Sequence, residues 1–223
     1  MNKLGGMTYT LNQGELIKYI QKQMDMFFPD ENSSEGIAVA SKRAIERTEY
    51  CFSRIYNQYF NTGSEVLFNH LHSDQYCMFL YFLSNTLYQM KESPHLYEKI
   101  YYLNKMLNGV DLLYAVEMPE IFALSHPVGT VIGRAKFKNY LYVSKSCTIG
   151  SNHGVYPEFG EYVDMYATSS VLGKCKIGDN SKISARSLVL DADVPGNSIY
   201  IGDSRDAVVK PAFEINPIWK VSK

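Results

Sequence analysis

The C-terminal third of the chain carries a six-residue rhythm. Aliphatic or aromatic residues stand at Val131, Phe137, Val143, Ile149 and Val155, and again at Phe159, Met165, Val171, Ile177, Ile183 and Val189. Four positions after most of them the residue is small: Ala135, Cys147, Ser169, Cys175, Ser181, Ser187. Val163 is slightly larger, and Leu141 and His153 break the rule. A helix repeats every 3.6 residues and a strand every two, so neither alone gives a period of six. A triangular coil whose sides are short flat strands does. The large residue fills the coil interior and the small one fits where the chain turns the corner. The two runs are out of phase, because Val155 and Phe159 are four apart. The slip follows Ile149-Gly150-Ser151-Asn152-His153-Gly154, a stretch of structure breakers. The pattern therefore predicts a coil interrupted at Ser151 to Gly160, with a short loop that carries His153. Loops on rigid scaffolds are common homes for chemistry.

The N-terminal half has helical spacing instead. Leu16, Ile17, Ile20, Met24 and Phe27 predict a helix over Gly14 to Phe28. A second, long and charged, is predicted over Gly36 to Phe60, after a polar connector. Ser73 to Met90 reads as a strongly apolar helix with Ser73 as N-cap. Ser93-Pro94 and Gly109 bracket a fourth over Pro94 to Asn108. Val110 to Ser125 is an apolar link into the coil. After Val189 the chain leaves through Asp193-Val194-Pro195-Gly196-Asn197-Ser198 into a short strand, Ile199 to Gly202, and an irregular tail. The expected class is α+β: an α-helical domain over 1–120, a parallel β-helix over 121–202, and a tail over 203–223.

Composition narrows the functional classes. The 223 residues are 46% hydrophobic and 20% charged, as in globular proteins. A formal charge of -1 supplies no basic field for nucleic acid. No apolar run reaches the length of a membrane span, and Met1 to Gly6 lacks a signal-peptide stretch. Cys51, Cys77, Cys147 and Cys175 show no CxxC spacing and read as free buried thiols of a cytoplasmic protein.

Helices followed by a hexapeptide coil, entered through His126-Pro127 and broken by one loop, resemble the serine acetyltransferases. The matching stretches are Ile132-Gly133-Arg134-Ala135, Cys147-Thr148-Ile149-Gly150, Val171-Leu172-Gly173, Lys176-Ile177-Gly178 and Val194-Pro195-Gly196-Asn197-Ser198. His72 to Tyr88 and Tyr101 to Gly109 look like the subgroup found with genes for bacterial capsule or surface polysaccharide. The resemblance spans roughly residues 65 to 210. It implies a left-handed β-helix that transfers acetyl from acetyl-CoA to a hydroxyl, usually of L-serine, with a His general base and no metal. It implies sites between the coils of a homotrimer, with a dimer of trimers as a further arrangement. The chain departs from the pattern at Leu124 and Lys138-Asn139, where the family has an Asp and an Asp-His pair.

Acyl transfer to an alcohol needs a base, donors for the oxyanion and a groove for CoA. Histidine is the usual base, since its unperturbed pKa is about 6.5. His70, His72 and His95 fall in or beside helices, where caps and surface positions explain them. His126 opens the coil and His153 sits in the loop; either is a candidate base. Glu158, with Glu161 near it, is a candidate orienting carboxylate. Ala167 and Ala185 match small positions that line the CoA groove in the family. Lys182, Arg186, Arg205 and Lys210, with Lys174, are candidate phosphate partners. The leading expectation is an O-acetyltransferase acting on L-serine, a serine-like metabolite or a saccharide. Alternatives are an N-acetyltransferase on an amino-sugar nucleotide, or a β-helix scaffold that has lost its base. A carbonic-anhydrase-like metal site ranks low, because only two His lie in or at the coil.

Overall fold

A computed structural model describes residues 2–4, 6–30 and 35–219. The described residues form two compact units, one reaching as far as Asn108 and the other Gly109–Trp219.

The first unit holds four helices and a small sheet. Strands β1 (Asn2–Leu4) and β2 (Met7–Tyr9) are antiparallel. Helix α1 (Gln13–Phe27) starts at Asn12, whose side chain accepts from Glu15 N while Glu15 accepts from Asn12 N. That reciprocal cap satisfies two amide donors a free helix start would leave open. Helix α2 (Glu35–Phe52) ends earlier than the sequence suggested. The chain then turns into β3 (Val66–Phe68), parallel to β2. Helix α3 (Ser73–Gln89) is buried on every side from Asp74 to Leu87, as its unbroken apolar run predicts for a central helix. Its N-cap is His72 rather than Ser73, and no side chain caps it. Helix α4 (Pro94–Asn108) and α2 pack against α3. Arg47 of α2 donates to Thr86 Oγ1 at 2.9 Å and lies over the Phe82 ring.

The second unit is a parallel β-solenoid of about five turns. Its strands are β4 (Asp111–Leu112), β5 (Phe122–Ser125), β6 (Val131–Ile132), β7 (Lys136–Phe137), β8 (Leu141–Ser144), β9 (Thr148–Gly150) and β10 (Glu158–Phe159). They continue with β11 (Asp164–Met165), β12 (Ser170–Leu172), β13 (Lys176–Ile177), β14 (Ser181–Ile183), β15 (Leu188–Leu190) and β16 (Ser198–Ile201). They stack into three faces. The first is β5, β8, β11, β14 and β16; the second is β4, β6, β9, β12 and β15; the third is β7, β10 and β13. The side chains in register up the inside are those of the hexad: Val143 under Met165 under Ile183, and Ile149 under Val171 under Val189. All six are fully buried. Each contributes roughly 1.5–3 kcal/mol by leaving water.

Two hexad positions do not point inward. Val131 is 42% exposed and Ile132 takes its place, because β6 pairs with β9 one residue out of phase. Val155 is 46% exposed and belongs to the loop. Phe159 lies 22 residues after its partner Phe137 but 18 before its partner Ile177. The coil that holds the loop is thus four residues longer than its neighbour. Pro157, which is buried, fills the small corner position that the spacing had given to His153.

As far as Trp219 the tail is ordered, where the sequence predicted irregularity; residues 220–223 lie outside the described residues. Strand β17 (Val208–Pro211) runs antiparallel to β16 and ends in Pro211, a residue compatible with a sheet edge. The chain then returns along the first face. Ala212 N donates to Asn197 O at 2.8 Å, and Asn216 Nδ2 donates to Asp164 Oδ1 at 3.1 Å. Trp219 is buried edge-on against Tyr140, which stacks on Tyr162 with ring centroids 4.3 Å apart. Among the described residues no helix is long and apolar enough to cross a membrane.

Candidate active site

Each coil turns three corners, and the candidate residues fall at two of them. The corner between first and second faces is entered after β5, β8, β11 and β14. It carries His126 in the first coil, Lys145 and Ser146 in the next, Ala167 and Thr168 above, then Ala185 and Arg186. His126, Ser146, Thr168 and Arg186 all have φ between +51° and +63°. Left-handed backbone is what turns the chain here, and side chains there stand off the edge. The column runs over three coil steps, about 14 Å at ~4.8 Å each. Small Ala167 and Ala185 leave its middle low, and His126, Lys145 and Arg186 are exposed around them. The structure thus gathers four predicted residues, His126, Ala167, Ala185 and Arg186, on one edge.

His153 lies at a different corner, between second and third faces. The loop after β9 closes with paired backbone bonds of 3.0 Å between Asn152 and Val155, which leaves His153 and Gly154 at its tip. Asn152 Nδ2 donates to Asp191 Oδ2 at 2.6 Å, across 39 residues of sequence. The other Asp191 oxygen accepts from Lys174 N at 2.8 Å. This carboxylate passes over Gly173, where a Cβ would lie 2.0 Å from Asp191 Oδ1 and 2.8 Å from Asn152 Cβ. The Lys174 amide, the Asn152 amide and nearby His153 together hold the Asp191 carboxyl below the usual carboxylate range. A charged carboxylate therefore seats the loop beside its His. Asp191 was invisible to sequence reasoning, because only the stacking of coils brings it to position 152.

Glu158 does not serve His153. It stands on the third face between Lys136 and Lys176 of the neighbouring strands and bonds Lys136 Nζ at 2.6 Å. Lys136, and more weakly Lys176, pull its carboxyl below the usual range. Glu161 is exposed, with its amide bonded to Asp179 Oδ1.

The predicted cations scatter. Lys182 is on the first face and donates to Glu214 O at 2.5 Å. Arg205 is paired with Asp203 at 3.2 Å, in the turn after β16. Lys210 is exposed on β17, beside a shallow cavity of about 380 Å³ lined by Gly196, Asn197 and Phe213. Among the described residues no three His, Cys, Asp or Glu gather as a metal centre would need.

Helices followed by a hexapeptide solenoid define the fold of the serine acetyltransferases. The enzyme structure from Brucella abortus superposes with a TM-score of 0.69 at 18% identity, over 92% of this chain and 85% of that one. The Neisseria gonorrhoeae enzyme gives 0.65 at 22% identity, over 81% and 71%. In sequence the chain is similar to the serine acetyltransferase of Synechococcus elongatus, 26% identical over 141 residues, 61% of this chain and 57% of that protein. It is 32% identical over 100 residues to serine acetyltransferase 2 of Arabidopsis thaliana, 43% of this chain and 31% of the relative. The chain thus spans about half the length, or less, of these curated relatives. No family model matches it.

Proposed function

We propose that the protein is an acetyl-CoA-dependent O-acetyltransferase that works as a homotrimer, with its acceptor a serine-like or saccharide hydroxyl. The observation that carries this reading is the anchored loop: a regular solenoid is interrupted once, and the interruption presents a His beside a buttressed carboxylate. A similar enzyme from Brucella abortus has been solved with coenzyme A, and one from Neisseria gonorrhoeae with serine. His153 is the general base and Asp191 orients its loop. The His126–Ala185 edge is the CoA groove, with Lys145 and Arg186 as phosphate partners.

His126 and His153 stand at opposite ends of the second face of one chain. A complete site therefore combines the His126 edge of one protomer with the His153 loop of the next. His153 takes the hydroxyl proton as the acceptor oxygen attacks the thioester carbonyl. Backbone N–H groups along the edge receive the oxyanion. The carbon–sulfur bond then breaks, and His153 returns the proton to the departing thiolate.

The test is CoA release from acetyl-CoA, with L-serine beside nucleotide sugars and short surface-polysaccharide fragments. Turnover with a hydroxyl acceptor is expected. Release only with amino-sugar nucleotides would make the protein an N-acetyltransferase, and no turnover with no CoA binding would make it a scaffold. His153→Ala and His126→Ala chains should each be inactive alone. Mixed in equal amounts and reassembled, they should recover about a quarter of wild-type turnover, because random pairing in a closed trimer leaves that share of sites intact. No recovery would place both residues in the same chain's site or in none.

A further inference from the structure

We infer that the C-terminal segment from Ala212 to Trp219 is a proton-controlled latch on the first face of the solenoid, with Asp164 as its sensor. Asp164 is on β11, at a position that should face solvent, since its neighbours Val163 and Met165 fill the interior. It is nevertheless only 1% exposed, because the returning segment lies over it. Asn216 Nδ2 bonds Oδ1, while Oδ2 is buried with no hydrogen-bond partner. A carboxylate so placed is short of partners, and a neutral carboxyl suffers far less from burial. The groups around it are Tyr142 on β8, Lys182 on β14, Tyr166 on its own strand, and Asn216 of the latch. The single cation among them, Lys182, has its ammonium bonded to Glu214 O of the latch. Trp219 closes the segment against Tyr140, with its indole Nε1 also buried and unpartnered.

Burial pushes the Asp164 carboxyl up to about 6, against the opposing pull of Asn216 and Lys182. Free of the latch it returns to the ordinary value near 3.8. The raised value belongs to the closed form, so closed latch binds the proton more tightly. Closure is therefore strongest below about pH 4, weakens as pH rises toward and through 6, and is constant above. The span of about two units corresponds to a latch equilibrium weaker on the order of a hundredfold at neutral than at acid pH. Opening uncovers Asp164 and frees the Lys182 ammonium. The latch rests on these contacts and not on the proposed activity.

The chain has one Trp, so its indole N–H gives one resonance. Its hydrogen exchange, normalised to free tryptophan, measures latch opening independently of any activity. Protection is expected to fall about 25-fold between pH 4.5 and 7.5, the part of the full span that lies above the open-form value. Asp164→Asn keeps the shape and the Asn216 bond but cannot ionise, so its protection should stay high and flat. Asn216→Ala should lower protection at every pH while the fall between 4.5 and 7.5 persists. A flat wild-type profile, or the same fall in Asp164→Asn, overturns the proposal.

Discussion

Two glycines five residues apart should fail in opposite ways when each gains a methyl group. At Gly178 the added Cβ would lie 2.4 Å from Gly196 N and 2.8 Å from Gly196 Cα. Those are backbone atoms of the next coil and cannot rotate away. Ordinary contact starts near 3.4 Å, so the coils must part by about 1 Å. The bonds Gly178 N to Val194 O at 2.8 Å and Asn197 N to Asp179 O at 2.9 Å cross the same gap and would pass out of range. Overpacking costs about 1–3 kcal/mol, and each lost bond about 1 kcal/mol. Gly178→Ala should therefore destabilise the solenoid by about 3–5 kcal/mol. At Gly173 the clashing atoms are the Asp191 carboxyl, which can swing aside, and Asn152 Cβ, which moves only with the loop backbone. The backbone there has φ +83°, so Ala adds strain of about 1–2 kcal/mol. Displacing Asp191 frees the His153 loop, and turnover should drop about tenfold to a hundredfold. Urea unfolding followed by Trp219 fluorescence measures the first effect, and acetyl-CoA turnover the second. Gly178→Ala costing under about 1 kcal/mol, or Gly173→Ala sparing turnover, would refute the reasoning.

Other expectations follow from particular contacts. Because the Asp191 carboxyl is held below its usual range, the loop clamp should persist from pH 8 to 5 and fail only as pH drops below about 4, read as exchange of the Lys174 amide. Arg47→Ala removes a partly buried charged donor from Thr86 and should cost about 1.5–3 kcal/mol of helical-unit stability, seen as a lower urea midpoint. All four cysteines are free and buried, with burial raising the thiols of Cys77, Cys147 and Cys175. None should react with a thiol reagent at the rate of free CoA until the protein unfolds, with Cys77 slowest.

What the sequence determined by itself is whatever local periodicity encodes. Six-residue spacing dictates a three-strand coil, because interior positions must recur once per side. The apolar run from Ser73 dictates a central helix, since it has no face to give to water. The phase slip between Val155 and Phe159 located the loop and its His, but one residue's worth of pairing decided that Ile132, not Val131, faces inward. Nearby sequence offered Glu158 as a carboxylate to orient either His, yet Lys136 one coil below claims it. The carboxylate that reaches the loop, Asp191, is nearly two coils further on, and its alignment depends on four extra residues being pushed out of the stack. Asp164 looks like any outward strand residue until the tail folds back over it. Such groups meet only when coil stacks on coil and the tail returns, so burial, pairing and charge at these sites belong to the tertiary structure alone.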